Sequence, residues 1–112
     1  MKKNIPHSCK VVVIGGGVAG CSSAYHLAKF GWKDTILLER DVLTSGTTWH
    51  AAGLIGQLGS SATITKLRNY SLNLYKQLEN ETGLSTGLKQ NGSLTVATTS
   101  DRLEELKRQL TF

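Results

Sequence analysis

A glycine-rich turn is the first feature of the chain whose residue types and spacing suggest chemistry. From position 15 the chain reads Gly-Gly-Gly-Val-Ala-Gly, a G-x-G-x-x-G motif. Gly15 permits a tight turn, Gly17 lets a pyrophosphate approach the backbone, and Gly20 lets a helix pack closely against a strand. The amides of Val18 and Ala19 then point from the helix N-terminus toward the anion.

An acidic residue completes this fingerprint. Glu39 lies about 20 residues beyond the glycines, at the end of a second apolar run. A carboxylate at this position accepts hydrogen bonds from both ribose hydroxyls and repels a 2′-phosphate. We therefore expect an ADP-containing dinucleotide, and the motif by itself leaves FAD and NAD both open.

The elements that must position these residues form a strand–helix–strand unit. Residues 9–14 form a short apolar run in which Val11 to Ile14 are continuous and β-branched, which predicts a strand buried on both faces. Helical spacing follows from Val18 to Phe30, and Gly31 ends the helix. Thr35–Leu38 is the second strand. A βαβ unit of this length requires a parallel sheet with a right-handed crossover.

The rest of the chain predicts a loop, a helix, a hairpin and a second helix. Residues 44–61 are rich in Gly, Ser and Thr, and long loops of this kind are often functional. Asn91-Gly92 indicates a hairpin turn, and a last helix is expected from about Asp101. The helix between the loop and the hairpin is expected from about Thr63 to Gly83. Its apolar stripe consists of Ile64, Leu67, Tyr70, Leu74, Tyr75 and Leu78.

The fold class predicted from these elements is α/β. We expect a Rossmann-like βαβ unit followed by a helix, a hairpin and a helix. A doubly wound parallel sheet usually has about five or six strands, and only two parallel strands are predicted here. Residues 1–112 are therefore expected to be the N-terminal portion of a larger domain, truncated at its C-terminus.

Composition excludes several classes of protein. The chain has 112 residues, a formal charge of +5 and 39% hydrophobic residues, which argues against a disordered, collagen-like or coiled-coil chain. The basic residues are scattered, so nucleic acid is not an expected partner. No apolar run reaches the roughly 18 residues of a membrane span. Cys9 and Cys21 lack metal-ligand spacing, and no metal site is predicted.

The loop at residues 43–54 carries a family resemblance. It reads Leu-Thr-Ser-Gly-Thr-Thr-Trp-His-Ala-Ala-Gly-Leu and resembles the dimethylglycine and sarcosine dehydrogenase branch of the D-amino-acid-oxidase-like flavoproteins. The resemblance extends over the βαβ region and the Gly92-Ser93-Leu94 segment. It implies FAD, bonded covalently through His50 to the 8α-methyl carbon. The resemblance also implies that Arg40 lies near the adenosine. The residues that it implies beside the flavin are Gly46, Thr47, Thr48 and Trp49.

The resemblance implies a function as well. The expected enzyme is an FAD-dependent oxidoreductase that oxidises a secondary or tertiary amine by hydride transfer to flavin. An electron-acceptor protein and tetrahydrofolate on a downstream domain are possible further partners. The expected compartment is the bacterial cytoplasm, or the mitochondrial matrix if a transit peptide lies outside this chain. No catalytic acid, base or substrate-binding residue is predicted within these residues, and the fragment itself is expected to be inactive.

Two alternatives stay open at this point. The chain could come from a non-catalytic protein of the same family, similar to the regulatory subunit of pyruvate dehydrogenase phosphatase. It could also come from an NAD-dependent dehydrogenase, since that class uses the same βαβ unit. Flavin colour that survives acid precipitation would exclude the second alternative.

Overall fold

The structure is a computed structural model that describes residues 5–111. The chain divides into two compact units, Met1–Gly53 and Leu54–Phe112. The first unit holds two strands and one helix, and the second holds two helices. In chain order the elements are β1 (Val11–Ile14), α1 (Val18–Lys29), β2 (Thr35–Leu38), α2 (Ala62–Thr82) and α3 (Ser100–Gln109).

The first unit confirms the predicted strand–helix–strand arrangement. β1 and β2 are parallel, in a register that pairs Val11 with Thr35 and Ile14 with Leu38. α1 packs against both strands. The helix ends as predicted: Gly31 adopts a φ of 86°, and its N–H donates to the carbonyl of Ala28 at 3.0 Å. β1 begins two residues later than expected.

β1 is covered on one face only in this unit, whereas its sequence predicts burial on both faces in a larger sheet. Ile14 is 85% exposed and Val12 is 49% exposed, whereas Val11 and Val13 are half-buried. Successive strand residues point to opposite faces of a sheet. The helix between β1 and β2 covers one of these faces. The apolar residues of the other face remain exposed in this unit.

The second unit has helices whose ends follow the sequence signals. Ser61 caps α2 by accepting a hydrogen bond from the N–H of Ile64, and Gly83 ends the helix with a φ of 69°. Its buried face differs from the predicted stripe, because its buried residues are Thr65 and Leu72. Thr65 accepts a hydrogen bond from the N–H of Gly59 at 3.0 Å.

α3 has a side-chain cap at its N-terminus and two ion pairs on its exposed surface. Thr99 accepts a hydrogen bond from the N–H of Arg102. Glu105 bonds to Arg108 at 2.6 Å, and this interaction lowers the pKa of the Glu105 carboxyl to about 2. Such exposed pairs contribute little to folding stability. Within the described range, residues 5–111, no helix is both long enough and apolar enough for a membrane span.

The predicted hairpin around Asn91-Gly92 is wrong. Residues 85–98 contain no strand. Gly92 has the positive φ of a turn, 74°, but Leu94 on the expected strand is 90% exposed. An isolated two-stranded hairpin is only marginally stable in water without a covered apolar face. The local turn signal is therefore present, whereas the pairing that it predicts is not.

We predict that Gly20→Ala destabilises the first unit. A Cβ added at Gly20 would lie 1.8 Å from the carbonyl oxygen of Gly15, a backbone atom that cannot rotate away. Overpacking of this kind costs about 1–3 kcal/mol of unfolding free energy. Denaturant unfolding of the whole protein measures the loss. Gly56→Ala is the matched control, because its nearest neighbour is the Arg68 guanidinium at 3.9 Å. Equal midpoints for the two variants would contradict the prediction.

Candidate functional site

A cleft of about 780 Å³ lies where β1 and β2 end and α1 begins. Its volume is within the range of about 300–1,000 Å³ that is typical of ligand sites. The predicted site residues that line it are Gly15, Gly17, Val18, Ala19, Glu39, Arg40, Gly46, Thr47 and Thr48. Residues that line it without having been predicted are Ile14, Leu38, Asp41, Ser45 and Ala51. Each of them is adjacent in the chain to a predicted site residue, and this adjacency is the sequence signal that could have identified them.

Three predicted residues are not part of the cleft lining: Gly20, Trp49 and His50. Gly20 lies on α1, where an added Cβ would meet the carbonyl of Gly15 and the side chain of Val13. Trp49 is 75% exposed, and its ring contacts the ring of His50 edge to face. These two aromatic residues therefore present their side chains outside the cleft wall.

The turn after β1 has the conformation that the motif requires. Gly15 adopts a φ of 102°, a region that favours glycine. Its N–H donates to the carbonyl of Leu38 at 2.8 Å, which ties the turn to the end of β2. The carboxyl ends of both strands therefore meet beside the first turn of α1. In open α/β sheets this edge is where ligands bind.

Gly16 holds the site together from behind the cleft lining, and the predicted site did not include it. It is buried, its N–H donates to Oε2 of Glu39 at 2.6 Å, and its carbonyl accepts from the N–H of Thr44 at 2.9 Å. An added Cβ would lie 2.5 Å from Cδ2 of Leu43 and 3.1 Å from Glu39. The motif allows any residue between its first two glycines. A third glycine at that position is the sequence signal that could have identified Gly16.

Glu39 accepts hydrogen bonds from two backbone amides, one before and one after it in the chain. Its second oxygen, Oε1, accepts from the N–H of Asp41 at 3.1 Å. The amides of Gly16 and then Asp41 lower the pKa of the Glu39 carboxyl, because both donate to its ionised form. A carboxylate has about four acceptor sites. Two remain for the ribose hydroxyls that the sequence predicts.

The first amide of α1 already has a partner. The N–H of Val18 donates to the hydroxyl oxygen of Thr48 at 2.9 Å. The predicted role of this amide was to face an anion. The residue before it, Gly17, is the N-cap and has no side chain with which to cap the helix. A Cβ on Gly17 would lie 3.0 Å from the Thr48 hydroxyl oxygen.

The loop that carries His50 is folded into consecutive turns. The N–H of His50 donates to the carbonyl of Thr47 at 3.1 Å, and the N–H of Ala51 donates to that of Thr48 at 3.2 Å. The His50 ring lies with Nδ1 at 3.0 Å from the carbonyl of Gly46. Because a carbonyl can only accept, Nδ1 carries the proton in this contact. Nε2 then holds the free lone pair of the neutral ring.

These features are suited to the ADP part of a dinucleotide. The glycine turn leaves the backbone accessible, and the N-terminus of α1 attracts negative charge. The Glu39 carboxylate offers acceptors to sugar hydroxyls at the end of β2. The chemistry of the donor set therefore fits the group that the motif predicts.

Comparison with known proteins identifies the family and several relatives. The family model described as "FAD dependent oxidoreductase" matches residues 10–111. Sarcosine dehydrogenase from Homo sapiens is 49% identical over 109 residues, 96% of this chain. Dimethylglycine dehydrogenase from Homo sapiens is 49% identical over 102 residues, 91% of this chain. The chain spans 12% of the length of each of these relatives.

A regulatory protein and a solved structure are also similar. The regulatory subunit of pyruvate dehydrogenase phosphatase from Mus musculus is 47% identical over 104 residues, 93% of this chain and 12% of its own length. The crystal structure of glycine oxidase from Bacillus cereus is 29% identical, with a TM-score of 0.66. That likeness covers 93% of this chain and 30% of the solved chain.

We predict that Glu39→Gln removes a pH-dependent part of the stability. The folded pKa of this carboxyl lies below its ordinary value of 4.5, so its contribution is complete above about pH 4.5 and is lost as the pH falls through the folded pKa. The wild type should therefore be more stable than the variant at pH 7, and the difference should shrink toward pH 3. Denaturant unfolding across this range measures it.

The matched control for that experiment is Glu104→Gln, which removes an exposed carboxylate that contacts Lys107. An exposed pair of this kind contributes little to stability. A wild-type advantage over Glu39→Gln that stays constant from pH 7 to pH 3 would contradict the prediction.

Proposed function

Because this chain belongs to the FAD-dependent oxidoreductase family, we propose that it is the N-terminal, ADP-binding part of an FAD-dependent amine oxidoreductase. The proposed substrate class is a secondary or tertiary amine such as sarcosine or dimethylglycine. The observation that carries the proposal is the agreement of two independent features. The cleft brings the glycine turn, α1 and Glu39 together. Two relatives that are 49% identical to this chain are dehydrogenases of these two amines.

The ADP part of FAD is assigned to the glycine turn and the end of β2. The pyrophosphate is assigned to Gly15, Gly17 and the N-terminal end of α1, where the helix dipole favours an anion, while the N–H of Val18 keeps its bond to the Thr48 hydroxyl. Glu39 accepts from the ribose hydroxyls, and Arg40 lies at the same rim of the cleft, near the adenosine. β1, α1 and β2 are proposed as the first βαβ unit of a larger, Rossmann-like doubly wound sheet, since one face of β1 is exposed in this unit.

His50 is proposed as the covalent attachment site. The contact of Nδ1 with the Gly46 carbonyl leaves Nε2 as the nucleophile. One N–C bond forms between Nε2 and the 8α carbon, while one methyl C–H bond and one imidazole N–H bond break. The two protons would pass to solvent, and the bound flavin would take up the electron pair, which dioxygen would remove as hydrogen peroxide.

When bound, FAD supplies the acceptor for the hydride that leaves the carbon next to the amine nitrogen, and the amine becomes an iminium ion. The residues of this chain hold the cofactor, orient it and contribute charge around it. The contacts to the substrate carboxylate and amine are assigned to other parts of the whole protein. An electron-acceptor protein and a folate-binding domain are partners that this proposal allows.

The alternative is a non-catalytic protein that keeps the flavin-binding part. The similarity to the regulatory subunit of pyruvate dehydrogenase phosphatase, at 47% identity, favours it almost as strongly as the dehydrogenases favour the enzyme. NAD in place of FAD is disfavoured, because the family model that matches the chain is FAD-dependent.

We predict that flavin stays with the wild-type protein after acid denaturation and that His50→Ala releases it. The variant keeps the ADP site, so it should still purify with non-covalently bound FAD. Flavin fluorescence of the acid-precipitated pellet and of the supernatant measures both forms. His7→Ala is the matched control, since His7 is exposed and lies outside the cleft lining. Complete release of flavin from the wild type would contradict covalent attachment, and purification without flavin would contradict FAD binding.

We predict that anaerobic addition of sarcosine or dimethylglycine bleaches the visible flavin absorbance of the whole protein. Hydride transfer reduces the flavin, and without oxygen the reduced form accumulates. Glycine betaine, which has a quaternary nitrogen without a lone pair, is the matched control and should leave the spectrum unchanged. Unchanged absorbance with a panel of N-methylated amines, together with bound FAD, would support the regulatory alternative instead.

A further inference from the structure

The helix α1 differs from α2 and α3 in how its first turn is capped. α2 and α3 each begin after a residue whose own hydroxyl accepts from a helix amide, Ser61 and Thr99 respectively. α1 begins after Gly17, which has no side-chain cap. The hydroxyl of Thr48 takes that place, from a residue 30 positions later in the chain. An uncapped N-terminus has unsatisfied donors, so this contact substitutes for a local cap.

The space for this contact depends on the glycine at the N-cap. A Cβ on Gly17 would lie 3.0 Å from the hydroxyl oxygen of Thr48, which is closer than most Cβ contacts. Glycine at this position therefore leaves room for the Thr48 side chain. A threonine hydroxyl can accept one hydrogen bond and still donate another. Thr48 thus keeps a donor that can be directed into the cleft.

The same residue belongs to the turns that hold His50. The carbonyl of Thr48 accepts from the N–H of Ala51, and the carbonyl of Gly46 accepts from both Nδ1 of His50 and the N–H of Trp49. The imidazole is therefore fixed to the backbone of its own turns. The Thr48 hydroxyl then fixes these backbone turns to α1.

We propose that Thr48 is a positioning residue for the attachment of FAD to His50, an inference that rests on the proposed function. The pyrophosphate is held at the N-terminus of α1, and the nucleophile lies two residues beyond Thr48. The Thr48–Val18 hydrogen bond sets the distance between these two anchors. Attachment requires the two reacting atoms to be held near contact, and a misplacement of about 1 Å can slow a reaction about 100-fold.

The test is the rate of covalent attachment in the whole apoprotein after FAD is added. Thr48→Val keeps the size of the side chain and removes the hydroxyl. We expect acid-stable flavin to form about 10- to 100-fold more slowly, at FAD concentrations that saturate the protein. Thr48→Ser keeps the hydroxyl and should restore most of the rate. Thr99→Val, which removes the cap of α3 in the same chemical way, should leave the rate unchanged.

Separate measurements distinguish this role from a merely structural one. The dissociation constant of FAD and the melting temperature are measured for each apoprotein variant. A wild-type attachment rate in Thr48→Val would overturn the inference. It would also be overturned if Thr48→Val weakened FAD binding and saturating FAD restored the rate, because Thr48 would then be a cofactor ligand only. If Thr48→Val does not fold, Thr48→Ala, which removes the hydroxyl without a new methyl group, is measured instead.

The failure of the proposed function has a different signature. A wild-type protein that never forms acid-stable flavin would overturn the covalent attachment, and this inference with it. A wild-type protein that attaches FAD while Thr48→Val does so equally fast would leave the proposed function intact and overturn only the role of Thr48.

Discussion

The backbone of Gly16 joins the first strand, the second strand and the loop that follows. Its N–H bonds to the Glu39 carboxylate and its carbonyl bonds to the N–H of Thr44, while the side chain of Leu43 fills the space that a Cβ would need. A larger residue here would force the side chains of Leu43 and Glu39 to shift. The position of Glu39, and of the loop that carries His50, therefore depends on one buried residue without a side chain.

The N-terminus of α1 is the second constraint, because its donors must be satisfied by something other than its own cap. Thr48 bonds to the Val18 amide, and the glycine turn leaves the backbone of the same region open to the cleft. A region that combines a helix dipole, accessible amides and an ionised carboxylate is suited to a ligand with both a diphosphate and a sugar. The FAD-dependent family to which the chain belongs uses such a ligand.

The first unit exposes apolar surface, as expected for a chain that spans a small part of the length of its relatives. Ile14 is largely exposed on the face of the sheet that α1 does not cover, and the chain spans 12% of the length of its dehydrogenase relatives. A sheet of two strands cannot bury both of its faces with one helix. The exposed face of β1 is therefore available for packing against other parts of a longer protein.

Local sequence patterns determined the parts of the structure that depend on near neighbours. The limits of β2 and α1, the end of α2 at Gly83 and the tight turn at Gly15 all follow from spacing and glycine conformation. The resemblance of the loop around His50 also came from the sequence and agrees with the family.

Only the tertiary structure decided the contacts between residues far apart in the chain. The bonds from Glu39 to Gly16 and from Val18 to Thr48 span 23 and 30 residues, and no local pattern specifies them. The hairpin at Asn91-Gly92 was predicted from a turn signal, but strand pairing needs a covered apolar face that the described residues do not provide. Propensity acts over a few residues, whereas burial and long-range hydrogen bonds depend on which segments meet.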